Sequence, residues 1–256
     1  MNRRRFVTGV AAGGIAGLAG CGAGSATKRP PRVPDDRLEE GGWVQTDQLS
    51  RRLFERDVGG RTVTADAVTR LFEDRRLSQR IAEKSLEQVQ ATLAQFFATR
   101  VVTDPNIANL PGGIGRDELV SQTRSRAESQ FKGRLASAGL EDVRKVGEES
   151  MTVETGETAE RTDYEAAFAI DSIRFPVTEE ETLTVEGGAL TVRGHLAVWI
   201  HDDGIFVSGG AYPGENFRRE VDKQLSSAIN VSVEVDMGLE PDAYRSELLG
   251  LVRRVS

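Results

Sequence analysis

Between residues 159 and 212 apolar side chains recur at every second position, and that period commits the chain to paired strands. Tyr164, Ala166, Phe168 and Ile170 alternate with polar or small residues, and so do Leu190, Val192, Leu196, Val198 and Ile200. A period of two places each set on one face of an extended strand, whereas a helix would bring residues together every three or four positions. Asp203-Gly204 then turns the chain into residues 205–212, the strongest short-range hairpin pattern in the sequence. Residues 143–153 are expected to pair with 159–170 across Gly156. Residues 182–186, followed by Gly187-Gly188, supply one more strand and turn before the hairpin.

Upstream, residues 49–58 and 61–72 read as two strands joined across Gly59-Gly60. In the second, Val63, Ala65, Ala67 and Thr69 share one side. Residues 75–90 are expected to be helical, with Leu77, Ile81 and Leu86 on the apolar side, and 93–102 a strand. A loop through Asp104-Pro105 and residues 110–115 leads into a long helix over 116–138. Leu119, Ala127, Phe131, Leu135 and Ala138 form its stripe, and Gly139 is its stop. Two C-terminal helices are predicted. Phe217, Val221, Leu225, Ala228 and Ile229 lie on one face of the first; Pro241 opens the second, with Tyr244, Leu248, Leu249 and Val252 buried. The expected fold class is therefore α+β: a mainly antiparallel sheet, a meander, packed on one face by the long helix and the C-terminal helices. It forms a single domain over residues 43–256, without internal repeats.

The N-terminus carries a different kind of information. The chain has one cysteine, Cys21, so a disulfide framework is excluded. Arg3-Arg4-Arg5-Phe6-Val7 matches the twin-arginine export pattern, in which Arg3, Arg4 and Phe6 are the recognised positions. Residues 7–18 form a short, weakly apolar core of signal-peptide length, too short to span a bilayer. Leu18-Ala19-Gly20-Cys21 matches a lipoprotein cleavage box, with small residues before a thiol that accepts the lipid. The competing reading is an ordinary signal peptide with a chance cysteine. Residues 1–21 are thus read as signal peptide and lipobox, and 22–42, with Pro30, Pro31 and Pro34, as a flexible tether. These features place the protein at the extracellular face of the cell membrane, held by membrane lipid through Cys21.

The charge balance is acidic, 33 basic against 40 acidic residues. Cleavage before Cys21 would remove Arg3, Arg4 and Arg5 and no acid, taking the net charge from −7 to −10. Nucleic acid is excluded as a partner on this ground, because phosphate binding is driven by lysine and arginine. Only five of the basic residues are lysine. An acidic, lysine-poor surface suits a protein kept soluble in strong brine, although a GC-rich genome gives the same arginine bias.

With these residues in view, the chain resembles the uncharacterised twin-arginine lipoproteins of haloarchaea. The resemblance rests on Arg3-Arg4-Arg5-Phe6 and Leu18-Ala19-Gly20-Cys21 and covers under a tenth of the chain. It implies a lipid-anchored extracellular protein. The order of elements beyond the tether is similar to that of PsbP-type extrinsic proteins, a likeness of architecture that implies no function.

No catalytic, cofactor or metal signature stands out. His195 and His201 fall on one face of a predicted strand, ~20 Å apart at ~3.3 Å per residue, too far to share a metal. A solvated sheet face is the expectation for both. Ser208 lies outside any nucleophile-elbow pattern. Gly112-Gly113-Ile114-Gly115 lacks the lysine of a phosphate-binding loop, and Arg116-Asp117-Glu118 follows it. Glu179-Glu180-Glu181 and Asp202-Asp203 lack the spacing of a calcium loop. The leading expectation is a non-enzymatic binding or envelope-assembly module with an envelope protein partner. The alternatives are a module that holds an apolar small molecule between sheet and long helix, and a cryptic hydrolase around Ser208 and His201.

Overall fold

The alternating segments pair edge to edge, as their period requires. The computed structural model describes residues 29–58, 60–106 and 116–256. The chain opens with helix α1 (Asp35–Gly41), the hairpin β1 (Trp43–Val58) and β2 (Arg61–Asp74), helix α2 (Arg75–Lys84) and β3 (Gln95–Asp104). The long helix α3 (Arg116–Ser137) follows, then β4 (Leu140–Thr152), β5 (Thr158–Ile170), β6 (Ile173–Pro176) and β7 (Thr182–Val185). The rest is β8 (Gly188–His201), β9 (Gly204–Pro213), β10 (Arg218–Ser226), β11 (Ile229–Asp236) and α4 (Pro241–Arg253).

Seven strands form one antiparallel sheet in the order β1-β2-β3-β9-β8-β5-β4. On one side a hairpin joins β1 to β2, and α2 links β2 to the adjacent antiparallel β3. The remaining four strands are joined to them where β3 pairs with β9, in a register that sets Ala98 opposite Ser208. The fold is α+β, as the sequence predicts. The predicted strand at 182–186 exists as β7, but it pairs with β6 in a separate ribbon outside the main sheet.

Helices cover both faces of this sheet, which corrects the expected one-sided packing. Gly194 of β8 lies opposite Ala211 of β9, so these two share a face and Gly210 points the other way. A methyl group at Gly194 would meet the Phe131 ring of α3 at 3.1 Å, whereas one at Gly210 would meet Leu248 of α4 at 2.8 Å. The two helices therefore sandwich the sheet, and β8 and β9 are buried on both sides. On the α4 side, Phe72, Phe96, Trp43 and Leu77 complete the core. Tyr244, Leu248, Leu249 and Val252 are buried on α4, the stripe expected from its spacing, and Pro241 opens that helix.

Three further expectations are corrected. Residues 217–229 are not a helix: β10 and β11 form a hairpin, with Val221 facing Val233. Phe217, Val221 and Leu225 are four residues apart, and four is also a multiple of two, so the spacing suits one face of either element. The deciding pattern is Ile229, Val231, Val233 and Val235, β-branched and strictly alternating. The helix expected over 75–90 ends at Lys84; Leu86 and Glu87 take left-handed backbone (φ 52° and 60°), and Leu86 is exposed. Of the stripe expected on the long helix, Leu119, Phe131 and Leu135 are buried while Ala138 is exposed.

The tether expected over 22–42 is also shortened. Among its described residues, Arg32 exchanges two backbone hydrogen bonds with Ser256, at 2.6 and 3.1 Å, and Val33 and Leu38 enter the core. The indole N–H of Trp43 donates to Glu247 of α4 at 2.9 Å, which locks this segment to the C-terminal helix. Leu38→Ala should therefore cost about 2–5 kcal/mol of stability, as truncation of a buried leucine does. Denaturant unfolding in native salt checks this. A change below about 0.5 kcal/mol, the usual range for surface positions, would return the segment to a tether.

Candidate functional site

Helix α3 lies over β4, β8 and β9 and leaves the β1–β3 side of the same face partly open. The gap is a groove of about 330 Å³. Its floor is built from small or β-branched side chains, Ala65, Ala67 and Thr69 of β2 with Thr99 and Val101 of β3. Alanine at two successive inward positions of β2 leaves the space unfilled. One wall is the row Leu119, Thr123, Ala127 and Phe131, which the four-residue spacing stacks along α3. The next row on the helix, Gln122, Arg126, Gln130 and Arg134, forms the rim.

Strand β1 supplies the opposite wall through Leu49, Arg51, Leu53 and Phe54. Leu53 and Phe54 are neighbours in sequence and would ordinarily point to opposite faces. A bulge between Arg52 and Phe54, which face Asp66 and Ala65 across the ladder, lets both line the groove. Arg51 reaches across and donates to Gln130 Oε1 at 2.5 Å, and Thr69 and Thr99 share a hydroxyl–hydroxyl bond of 2.8 Å on the floor. No lining residue is acidic. Arg134 is exposed, yet its guanidinium is held below its ordinary value, first by desolvation and then by the like charge of Arg51. Such a concavity, mostly apolar with a few convergent polar groups, can take a small ligand.

The two histidines are placed differently from the expected solvated face. His195 is buried. Its Nδ1 lies 2.7 Å from Asp163 Oδ1 and its Nε2 3.0 Å from the Tyr212 hydroxyl. In the neutral ring, Nδ1–H donates to Asp163 and Nε2 accepts from Tyr212. Arg161, also buried, donates to both oxygens of Asp163 at 2.7 and 2.9 Å. Burial raises the Tyr212 phenol above its usual range, which keeps its proton in place. Alternation correctly put His195 opposite the apolar row of β8, but α4 covers that second face, so the polar residues there pair with one another. His201 is half-buried on the same strand and bonds Glu157 instead, at 2.7 Å.

Ser208 is fully buried and donates to the Phe97 carbonyl at 2.8 Å. It pairs with Ala197, four residues or ~13 Å along β8 from His201. The structure therefore does not bring Ser208 and His201 together. Glu181 pairs with Lys223, and Asp203 with Arg100 at 2.5 Å. Among the described residues, no group of three or more His, Cys, Asp or Glu side chains could hold a metal ion. Arg3, Arg4, Phe6, Leu18, Ala19, Gly20 and Cys21 lie outside the described residues, as do Gly112-Gly113-Ile114-Gly115. No helix of the described residues is long and apolar enough to cross a membrane.

Asp163 sets a pH dependence. Burial alone would raise its carboxyl, but hydrogen bonds from His195 and Arg161 outweigh that and bring it down from 3.8 to about 2. A depressed carboxyl stabilises the fold fully above its unfolded value and loses that contribution as pH falls through the folded one. The shift corresponds to about 2 kcal/mol. Asp163→Asn should lower stability by about that amount at neutral pH, and the gap to the parent chain should narrow between pH 4 and pH 2. Denaturant unfolding across that range is the measurement, and a gap independent of pH would show that Asp163 is not held ionised by its partners.

No curated protein and no solved structure matches the chain. A family model described as a domain of unknown function, DUF6517, matches residues 30–256. That span begins where the chain enters the fold at Arg32 and Val33, and it contains the sheet, the groove and the His195 cluster. The chain belongs to the DUF6517 family.

Proposed function

We propose that this protein is a lipid-anchored extracellular binding protein that holds an apolar small molecule in the groove between α3 and the sheet. The observation that carries this reading is the groove itself, an unfilled space of about 330 Å³ in the layer where solid packing would have argued against a ligand. Its volume falls at the small end of ligand sites, which run about 300–1,000 Å³. Leu53, Phe54, Phe97 and Ala127 are half-buried along it, apolar surface that an occupant would cover. An envelope-assembly partner, the other binding reading, rests on the anchor alone.

The address supports the same reading. With Cys21 as the lipid-bearing residue, seven residues separate it from Arg29, and eight steps of chain span at most ~3.6 Å each, about 29 Å. The domain is then held close to the bilayer, where apolar molecules are concentrated. A two-chain lipid gives stable anchoring, whereas one acyl chain binds marginally.

Two experiments test the two halves. Cys21→Ser should move the protein from the membrane fraction to the medium, and continued sedimentation with membranes would remove the anchor from the proposal. The released chain, purified without detergent, should bind the neutral apolar dye Nile red. Ala127→Trp, which fills the groove from the α3 wall, should weaken that binding by about ten-fold or more while the melting temperature stays near that of the parent. Unchanged dye affinity in a folded Ala127→Trp protein would place the site elsewhere.

A further inference from the structure

The groove carries basic groups beside an apolar floor, and apolar side chains (Leu49, Phe97, Phe131) as well as polar ones (Gln122, Thr123) run along its length. Arg51 and Thr69 of the sheet face Gln130 and Arg134 at the end of the groove nearer the C-terminus of α3. At the other end, Leu53 and Phe54 face Leu119. From Leu119 to Arg134 the lining follows α3 for about 22 Å at ~1.5 Å per residue.

Charge along the groove is of one sign. The chain has more acids than bases, yet the groove is lined by Arg51, Arg126 and Arg134 and by no acid. Arg124, two residues from Arg126 on the same helix but turned toward β4 and β5, is ion-paired to Glu128, Glu148 and Glu160. Arg51, Arg126 and Arg134 have no ion pair within 4.0 Å among the described residues, and Arg51 spends a hydrogen bond on neutral Gln130. Asp47 acts on Arg134 only at longer range. Arg51 and Arg134 repel each other across the groove, a cost that an anion between them would relieve. The Thr69–Thr99 pair shares one hydrogen for two hydroxyls, so a second O–H remains to donate beside them.

We infer that the ligand is a single-chain amphiphile with an anionic head. Its head sits between Arg51 and Arg134 over Thr69 and Thr99, and its chain lies along the alanine floor toward Leu53, Phe54 and Leu119. This rests on the groove being the ligand site and adds the chemical class of the ligand. Guanidinium forks suit a carboxylate or a phosphate monoester alike. The apolar floor and walls rule against a free anion, and the small volume against a two-chain lipid.

The experiment titrates the full-length Cys21→Ser chain, free of detergent, with laurate, dodecanol, dodecyltrimethylammonium and inorganic phosphate, below their aggregation limits. Displacement of Nile red or calorimetry gives the affinities. Laurate should bind at least about ten-fold more tightly than dodecanol, as charge-assisted hydrogen bonds add. The cationic chain should bind more weakly than dodecanol. Arg51→Gln with Arg134→Gln should erase the preference for laurate and leave dodecanol within about two-fold. A dodecyl phosphate arm separates the head chemistries, the tighter of the two naming the head. Equal affinity for laurate and dodecanol, unmoved by the arginine changes, would overturn the anionic head and leave the groove reading standing. Binding of none of the chains would overturn both. Inorganic phosphate displacing the dye as well as laurate would overturn the amphiphile.

Discussion

The pairing of β3 with β9 holds the two halves of this fold together. The N-terminal half builds β1–β3 from a hairpin and a connection through α2, the C-terminal half builds β4, β5, β8 and β9, and they meet along one ladder. Gly210 keeps that ladder close, since a methyl there would lie 2.0 Å from the Gln95 carbonyl of β3; Gly209 does the same for the neighbouring β8–β9 ladder, where a methyl would lie 2.1 Å from the His195 carbonyl. Ser208 adds a side-chain bond to Phe97 in the same place. The missing side chain at Gly210 also lets Leu248 reach the sheet, so this ladder seats α4. On the opposite face, Val207 of the same strand forms part of the groove floor. The groove and the His195 cluster lie on the two sides of one central ladder.

Charge is distributed in a way that separates scaffold from site. Arg161 is buried and answered by Asp163 and Glu149, and Arg124 by three glutamates. A buried arginine must be paired in this way, because an uncompensated charge away from water costs several kcal/mol. The arginines along the groove are more exposed and tolerate being unpaired. In a chain with a surplus of acids they form a local basic patch beside an apolar floor. Exposed ion pairs contribute little each, so the informative feature is where carboxylates are missing.

The segment expected to be a tether is part of the fold. Arg32 and Ser256 hold each other by backbone hydrogen bonds, and α1, which buries Leu38, packs against β1 and α4. The chain is therefore anchored to the fold within a dozen residues of Cys21. Pro30 and Pro31 read as linker by composition, but composition does not register that Val33 and Leu38 have a core to enter.

The sequence by itself determined the strands and their class of sheet, because period-two alternation is a property of each segment alone. It showed Ala65, Ala67 and Thr69 sharing a side, the stripe of α4, and the residue types of an export signal and lipobox. Only the tertiary structure decided which faces are covered. Alternation says that His195 lies opposite Leu196, not that α4 will bury both faces, so its partners Asp163 and Tyr212 were out of reach. Residues spaced by four on β10 fit a helix and a strand equally until the partner strand is known. The groove depends on the bulge at Leu53 and on how far α3 stands from β1. Both are relations between segments distant in the chain, and local spacing carries no record of them.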